Sequence, residues 1–298
     1  MTTTMSATRA RWVLPASAAT GILFMLVAQL LVMPANDAVV KYLVASVPVV
    51  QLAWARFFFN FLLLAPVTLW HHRRHALAPR RPGLQLLRGV LIVASNLLFI
   101  AGLRFVPLAD ATATVFVAPL AVATFSPWIL GERVGPIGWA AVAAGFAGAL
   151  VIIRPGFAHA SLASLLPFGA GLSFAAYLLV TRKLASYSPP LVTQTTTAAV
   201  GAVLTTFLLP LGWAWPSPGE WTLMLAIGCG SCIGHVLITL AHQHAGAATL
   251  APLTYLSLVS ATALGYLLFG DLPDLLTLLG AAIVIASGLA VWWRSRPG

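Results

Sequence analysis

Six acidic residues are spread over 298, and five of them have a ready structural use at the edge of an apolar run. Glu220 closes "SPGE", a capping box with Ser217 at the N-cap and Pro218 in the first turn. Asp110 follows Pro107 in the first turn of an apolar run. Asp271 and Asp274 flank Pro273 before another, so each meets the positive end of a helix dipole. Glu132 abuts Arg133 at the edge of a run. Asp37 is different. In "MPANDAVVKYL" it comes near the end of a run, where its charge opposes the dipole. If that helix ends near Leu43, Asp37 lies about 9 Å short of the end. Arg56 sits about 10 Å into the returning run. Opposite charges thus fall at similar depth on consecutive antiparallel helices. Lys41, one turn from Asp37, is a second partner within reach. An ionised side chain in hydrocarbon costs on the order of 2.5–3.5 kcal/mol, so such charges pair or line a wet cavity. Asp37, Lys41 and Arg56 are therefore expected to form a charge network. It is either a clamp between two helices or a working part of a polar path.

Other chemistry-bearing residues are scattered through apolar runs. Cys229 and Cys232 make a C-x-x-C with His235 three residues on. No second ligand pair accompanies them, and Gly230 and Gly234 have the spacing that lets membrane helices approach closely. Packing is the expected role of this stretch, with no metal and no cofactor. No GK[ST] phosphate loop, HExxH or GxSxG occurs, so direct use of ATP and the common hydrolytic chemistries are not expected. Gln29, Trp54, Asn96, Tyr177, Gln194, His235 and Tyr255 are polar or aromatic and lie away from the ends of runs. Trp54, Tyr177 and Tyr255 could sandwich a planar or aliphatic ligand. Arg56 could hold a carboxylate by a bidentate bond, and His235 could carry a proton.

The elements that position these residues follow from composition. The chain is 60% hydrophobic and 7% charged, where a soluble domain carries about 25% charge. Apolar runs long enough to cross a bilayer recur from end to end. The expected class is an all-α polytopic membrane protein, not a β-barrel, whose strands would alternate in short segments. Ten spans fit, at about 17–42, 49–69, 84–104, 107–130, 136–153, 162–182, 191–212, 220–241, 248–269 and 274–293. The net charge of +10 points to membrane topology, not to nucleic acid. With the N-terminus inside, Arg9, Arg11, Arg73, Arg74, Arg80, Arg81, Arg88, Arg133, Arg182, Lys183, Arg294 and Arg296 are cytoplasmic, against Lys41, Arg104 and Arg154 outside. Twelve against three places both termini in the cytoplasm. The first run is too long for a signal peptide and reads as an uncleaved span.

A shift of 139 lays "VFVAPLAVATFSPWILGERV" on "TYLSLVSATALGYLLFGDLP". Phe116 meets Tyr255, Gly131 meets Gly270, Asn96 meets His235 and Gly89 meets Gly228. Upstream, a shift of 141 pairs Lys41 with Arg182, each with a proline seven residues on. The order is that of a duplication. Each half holds five spans, an odd number, so the copies are inverted in the membrane. The expected organisation is a cytoplasmic N-terminus at 1–16, a first repeat at 17–156, a second at 157–293 and a cytoplasmic C-terminus at 294–298.

Ten spans in two repeats, "ND…K" closing the first span, Arg56 in the second, "AGLRFVPLADATATVFVAPL" with "GER", and "AHQHAGAATLAPLTYL…LGYLLFGDLPD" together resemble the EamA-type branch of the drug/metabolite transporter superfamily. The resemblance covers almost the whole chain. It departs at Leu258, the counterpart of Pro119, and at Asp271, where Glu is more usual. It implies a secondary transporter of the bacterial cytoplasmic membrane that works by alternating access on a small organic metabolite. Its partners would be that substrate, the lipid bilayer and protons. Export of an amino acid or its derivative ranks first. Import of a vitamin or nucleoside-like compound, of the riboflavin or S-adenosylmethionine type, is the alternative, and an intramembrane enzyme ranks lower. The substrate path is expected to include Asp37, Trp54, Arg56, Asn96, Tyr177, His235 and Tyr255.

Overall fold

The computed structural model describes residues 18–72, 80–131, 135–153, 163, 165–185 and 187–294. Arg9, Arg11, Arg73, Arg74, Glu132, Arg133, Arg154 and Arg296 lie outside them, so the roles given to these residues concern positions that are not described. Among the described residues ten helices are long and apolar enough to span a membrane. They are α1 (Ala18–Leu43), α2 (Val49–His72), α3 (Pro82–Leu103), α4 (Leu108–Leu130), α5 (Pro136–Ile153), α6 (Leu165–Leu184), α7 (Pro190–Leu211), α8 (Pro218–His244), α9 (Ala251–Phe269) and α10 (Leu275–Trp293). No strand occurs among the described residues. The fold is all-α and polytopic, and every span starts and stops within a few residues of its expected bounds.

The pairings of the helices repeat when the halves are exchanged. α1 packs on α8 as α6 packs on α3, and α2 on α8 as α7 on α3. α4 meets α6 as α9 meets α1, while α2–α7 and α5–α10 pair with their own counterparts. Local chemistry repeats too. Gly131 and Gly270 end α4 and α9 at φ 72° and φ 71°, the left-handed cap that glycine adopts without strain. α4 breaks at Phe116 (ψ 0°). Pro119 explains the break, since it has no N–H to offer the carbonyl of Val115. α9 begins as a 3₁₀ turn, Ala251–Tyr255, built around Pro252. Different prolines thus distort the two repeats at equivalent places, and Phe116 and Tyr255 pack ring on ring at 4.9 Å.

Pro34 stands inside α1, and the helix is irregular near it. The distortion lies just before it, as a π-helical turn at Ala28–Val32. The proline ring would strike the carbonyl four residues back, and widening the preceding turn relieves that clash.

Close packing depends on small residues. A Cβ on Gly230 would come within 2.7 Å of Asn36 Oδ1, and one on Gly234 within 2.9 Å of Met33 Sδ. These two glycines seat α8 against α1, the packing role expected for their spacing. Cys229 and Cys232 on the same stretch of α8 are free thiols, each half-buried. Leu43, Leu52, Ile100, Leu103, Leu108, Met224 and Ile227 are fully buried where α1, α2, α3, α4 and α8 converge. Large apolar side chains such as Leu62, Val203, Phe207 and Leu267 are exposed on the outer surface, as lipid contact requires.

Candidate functional site

Arg56 is the hub of the interior. It is 9% exposed and reaches three other helices. Nη2 donates to Asp37 Oδ1 on α1 at 2.6 Å, Nε to Ser231 Oγ on α8 at 2.9 Å, and Nη1 to Asn96 Oδ1 on α3 at 3.4 Å. With its amide oriented to satisfy both ends, Asn36 donates to the Ile227 carbonyl at 3.0 Å and accepts from Arg56 Nη2 at 2.8 Å. The similar depths of Asp37 and Arg56 on antiparallel helices account for their meeting. Ser231 belongs to the second half of the chain, so the guanidinium also joins the repeats.

This hub forms part of the wall of a central cavity with two lobes. The larger lobe, about 490 Å³, has aromatic walls at Phe99, Phe116, Phe174 and Tyr177, with Gln29, Asp37, His235 and His242 among its polar groups. The smaller, about 200 Å³, is lined by Arg56, Asn60, Ser95, Asn96, Gln194, Thr197 and Ser231. Asp37, Tyr177 and His235 line both. His235 Nδ1 donates to the Ser231 carbonyl at 2.7 Å, which leaves Nε2 without a protein partner among the described residues. Thus Asp37, Arg56, Asn96, Tyr177 and His235 share one cavity.

Two residues expected in the path, Trp54 and Tyr255, do not, and Lys41 leaves the expected charge network. Lys41 turns away from Asp37, and no ion pair joins the two. Its Nζ lies 3.2 Å from Asp271 Oδ2 and donates to the Val106 carbonyl at 2.9 Å. The charge network therefore splits. Asp271, expected only to favour a helix start, holds the end of α1 to the α9–α10 connection. Trp54 lines neither lobe. Its Nε1 donates to Thr206 Oγ1 at 3.0 Å, and its ring stacks on Phe58 and meets Trp213 and Trp221 edge-on. Tyr255 also lines neither lobe. Its hydroxyl points to Gly288 on α10, where there is no Cβ to exclude it.

Sequence comparison fits this architecture. The profile of the EamA-like transporter family matches residues 19–154 and again 161–293. The chain belongs to the EamA-like transporter family. It is 32% identical over 286 residues to a riboflavin transporter of Rhizobium johnstonii, covering 93% of this chain and 92% of that one. It is 28% identical over 262 residues to an S-adenosylmethionine uptake transporter of Rickettsia felis, covering 88% and 89%. It is 29% identical over 266 residues to a pseudopaline exporter of Pseudomonas aeruginosa, covering 86% and 90%. A solved crystal structure, 20% identical, superposes with a TM-score of 0.66 over 95% of this chain and 100% of that one, and so shares the fold. This EamA-family protein is a multi-pass bacterial membrane transporter, not an enzyme.

The transporter holds one interior residue that sequence reasoning misplaced. Arg88, counted as a cytoplasmic topology charge, is 4% exposed. Nε donates to Thr181 Oγ1 at 2.7 Å, Nη1 to the Thr193 carbonyl at 2.9 Å and to Thr197 Oγ1, and Nη2 to Tyr177 Oη at 2.6 Å. Its guanidinium stacks 4.5 Å from the centroid of the Tyr177 ring. Among the described residues no carboxylate pairs with it. Arg88 lies behind Tyr177 and Thr197, one layer out from the cavity, and ties α3 to α6 and α7. Next to it Gly89 seats α3 against α7, where a Cβ would strike Val200.

Proposed function

We propose that this transporter carries a small amphipathic metabolite across the bacterial cytoplasmic membrane by alternating access, with the Asp37–Arg56 pair in the substrate path and both termini cytoplasmic. The observation that supports this reading is the 2.6 Å ion pair in the wall of a cavity built from both repeats. Charges held at that depth are costly and are kept where they act on a polar cargo or an ion. The larger lobe's volume falls in the roughly 300–1,000 Å³ range of small-molecule sites. Its four aromatic walls suit a planar ring and exceed what an amino-acid head group needs. The vitamin- or nucleoside-like class, to which riboflavin belongs, is therefore favoured. One observation supports the other reading, export of an amino-acid derivative: adjacent opposite charges match an ammonium and a carboxylate on one zwitterion. A proton carried by Asp37 or His235 is the proposed coupling ion.

The test is transport of labelled riboflavin, and of a labelled zwitterionic amino-acid derivative, by purified protein in proteoliposomes, with and without an imposed pH gradient. Saturable movement of one of them is expected, faster with the gradient and lost in Arg56→Gln. Full activity of Arg56→Gln would remove the pair from the path. Indifference to the gradient would remove the proton.

A further inference from the structure

We infer that the larger lobe selects a planar ring rich in N–H donors, an amino-substituted heterocycle such as an aminopurine, over a ring whose edge only accepts. This rests on the reading of the cavity as the substrate path and narrows the nucleoside-like class proposed for it. The observation that carries it is where the protons of the lobe go. Hydroxyls line the larger lobe at Thr112, Thr254 and Ser257. Each donates to its own helix: Thr112 to the Leu108 carbonyl at 2.8 Å, Thr254 to that of Ala251 at 2.7 Å and Ser257 to that of Thr254 at 2.9 Å. The imidazoles do the same. Nδ1 of His235 meets the Ser231 carbonyl at 2.7 Å, and Nδ1 of His242 meets the Ile238 carbonyl at 2.8 Å. A carbonyl only accepts, so Nδ1 carries the proton, and Nε2 of the neutral ring is an acceptor. Asp37, at the junction of the lobes, is a carboxylate and only accepts. None of these side chains is sealed from the cavity. His242 is exposed and the others are half-buried.

Helical hydroxyls commonly bond back in this way. What sets the lobe apart is that no Arg, Lys, Trp or Asn lines it among the described residues. Tyr177 contributes its ring, because its hydroxyl is turned to Arg88. Gln29 is the exception, an amide whose Nε2 lies 3.8 Å from Met25 Sδ and which can meet a donor or an acceptor. The smaller lobe is built the other way. There the Arg56 guanidinium and the amides of Asn96 and Gln194 supply N–H groups, and Asn96 already gives its Oδ1 to Arg56. The cavity is thus polarised, with acceptors and aromatic faces in one lobe and donors in the other. A ring stacked on Phe99, Phe116, Phe174 or Tyr177 leaves its edge to the acceptors. Amino groups on that edge are matched there. Carbonyls and bare ring nitrogens would face lone pairs. The oxygens of a pentose or carboxylate tail then suit the donors of the smaller lobe.

A matched series of nucleosides tests the selection. Purine riboside, adenosine and 2,6-diaminopurine riboside share a ring frame and a pentose, and carry no amino group, one and two. N6,N6-dimethyladenosine keeps the exocyclic nitrogen of adenosine and lacks its N–H groups. Affinity for the purified full-length protein is read from binding of tritiated adenosine and its displacement by the others. Adenosine should bind roughly fivefold or more tightly than purine riboside, the effect of one well-made hydrogen bond, and the diamino compound tighter again. Dimethyladenosine should fall to the level of purine riboside. Thr112→Val with Thr254→Val and Ser257→Ala removes the hydroxyl acceptors at nearly constant shape, and His235→Phe with His242→Phe removes the imidazoles. At least one of these two variants should bring adenosine and purine riboside to within about twofold of each other. Equal affinity across the series in wild type, no saturable binding of adenosine, or a preference unchanged in both variants overturns the donor selection. Any of those results beside an Arg56→Gln that has lost transport leaves the path standing. Full transport by Arg56→Gln instead defeats the path itself.

Discussion

Removing one charge of the Asp37–Arg56 pair and then both separates a clamp from a working part. Nη2 and Oδ1 are 2.6 Å apart, with side-chain exposures of 10% for Arg56 and 23% for Asp37, so solvent screens the pair little. At an effective dielectric constant of about 20 the attraction is about 6 kcal/mol, and desolvation of both ions offsets much of it. Arg56→Gln leaves a half-buried carboxylate without its cation and should destabilise the protein by about 2–4 kcal/mol. Asp37→Asn leaves Arg56 with neutral acceptors at Ser231, Asn96 and Asn36, and should cost about 2–3 kcal/mol. The double variant buries no unpaired charge, so its loss should fall short of the sum by about 2–4 kcal/mol. Unfolding in mixed micelles measures stability, and proteoliposomes measure transport. The double variant should regain most of its stability and none of its transport. Additive losses of stability would refute the pairing energetics. A double variant that transports like wild type would reduce the pair to a clamp.

Arg88→Gln should lower stability by about 3 kcal/mol, because it strips partners from buried hydroxyls at Thr181, Thr197 and Tyr177. Arg88→Lys should recover little, since an ammonium cannot span that fork of acceptors, and the unfolding midpoint checks both. Lys41→Ala should change stability by about 1 kcal/mol or less, because Asp271 is 32% exposed. It should nevertheless alter how readily thiol reagents reach the cavity from that end; exchange of the charges, Lys41→Asp with Asp271→Lys, should restore wild-type labelling. Cys229→Ala with Cys232→Ala should leave transport within about twofold, since both thiols are free and half-buried, and a rate assay on the double variant decides it.

The elements were legible because bilayer physics is blunt. Span length, the excess of charge between spans and the 139-residue shift are all properties of the string. The Asp37–Arg56 contact was legible because helical rise alone sets the depth of a residue on either side of a short turn. Lys41 was misassigned because sequence spacing knows only its own helix. The stronger acceptor, Asp271, is far away in the chain and arrives through the fold of the second repeat. Trp54 and Tyr255 lie outside both lobes because depth says nothing about which way a side chain faces. Tyr255 turns into the space left by Gly288, and Trp54 joins a cluster with Trp213 and Trp221.

Alternating access at this cavity is tested most directly by labelling from each side. Cys229 and Cys232 are replaced by alanine, and a single cysteine is placed at Gln194, half-buried in the smaller lobe. A membrane-impermeant thiol reagent is then applied to one face or the other of sealed vesicles. Alternating access should give labelling from both faces, each slowed by a transported substrate; labelling from one face only, whatever the substrate, would rule it out.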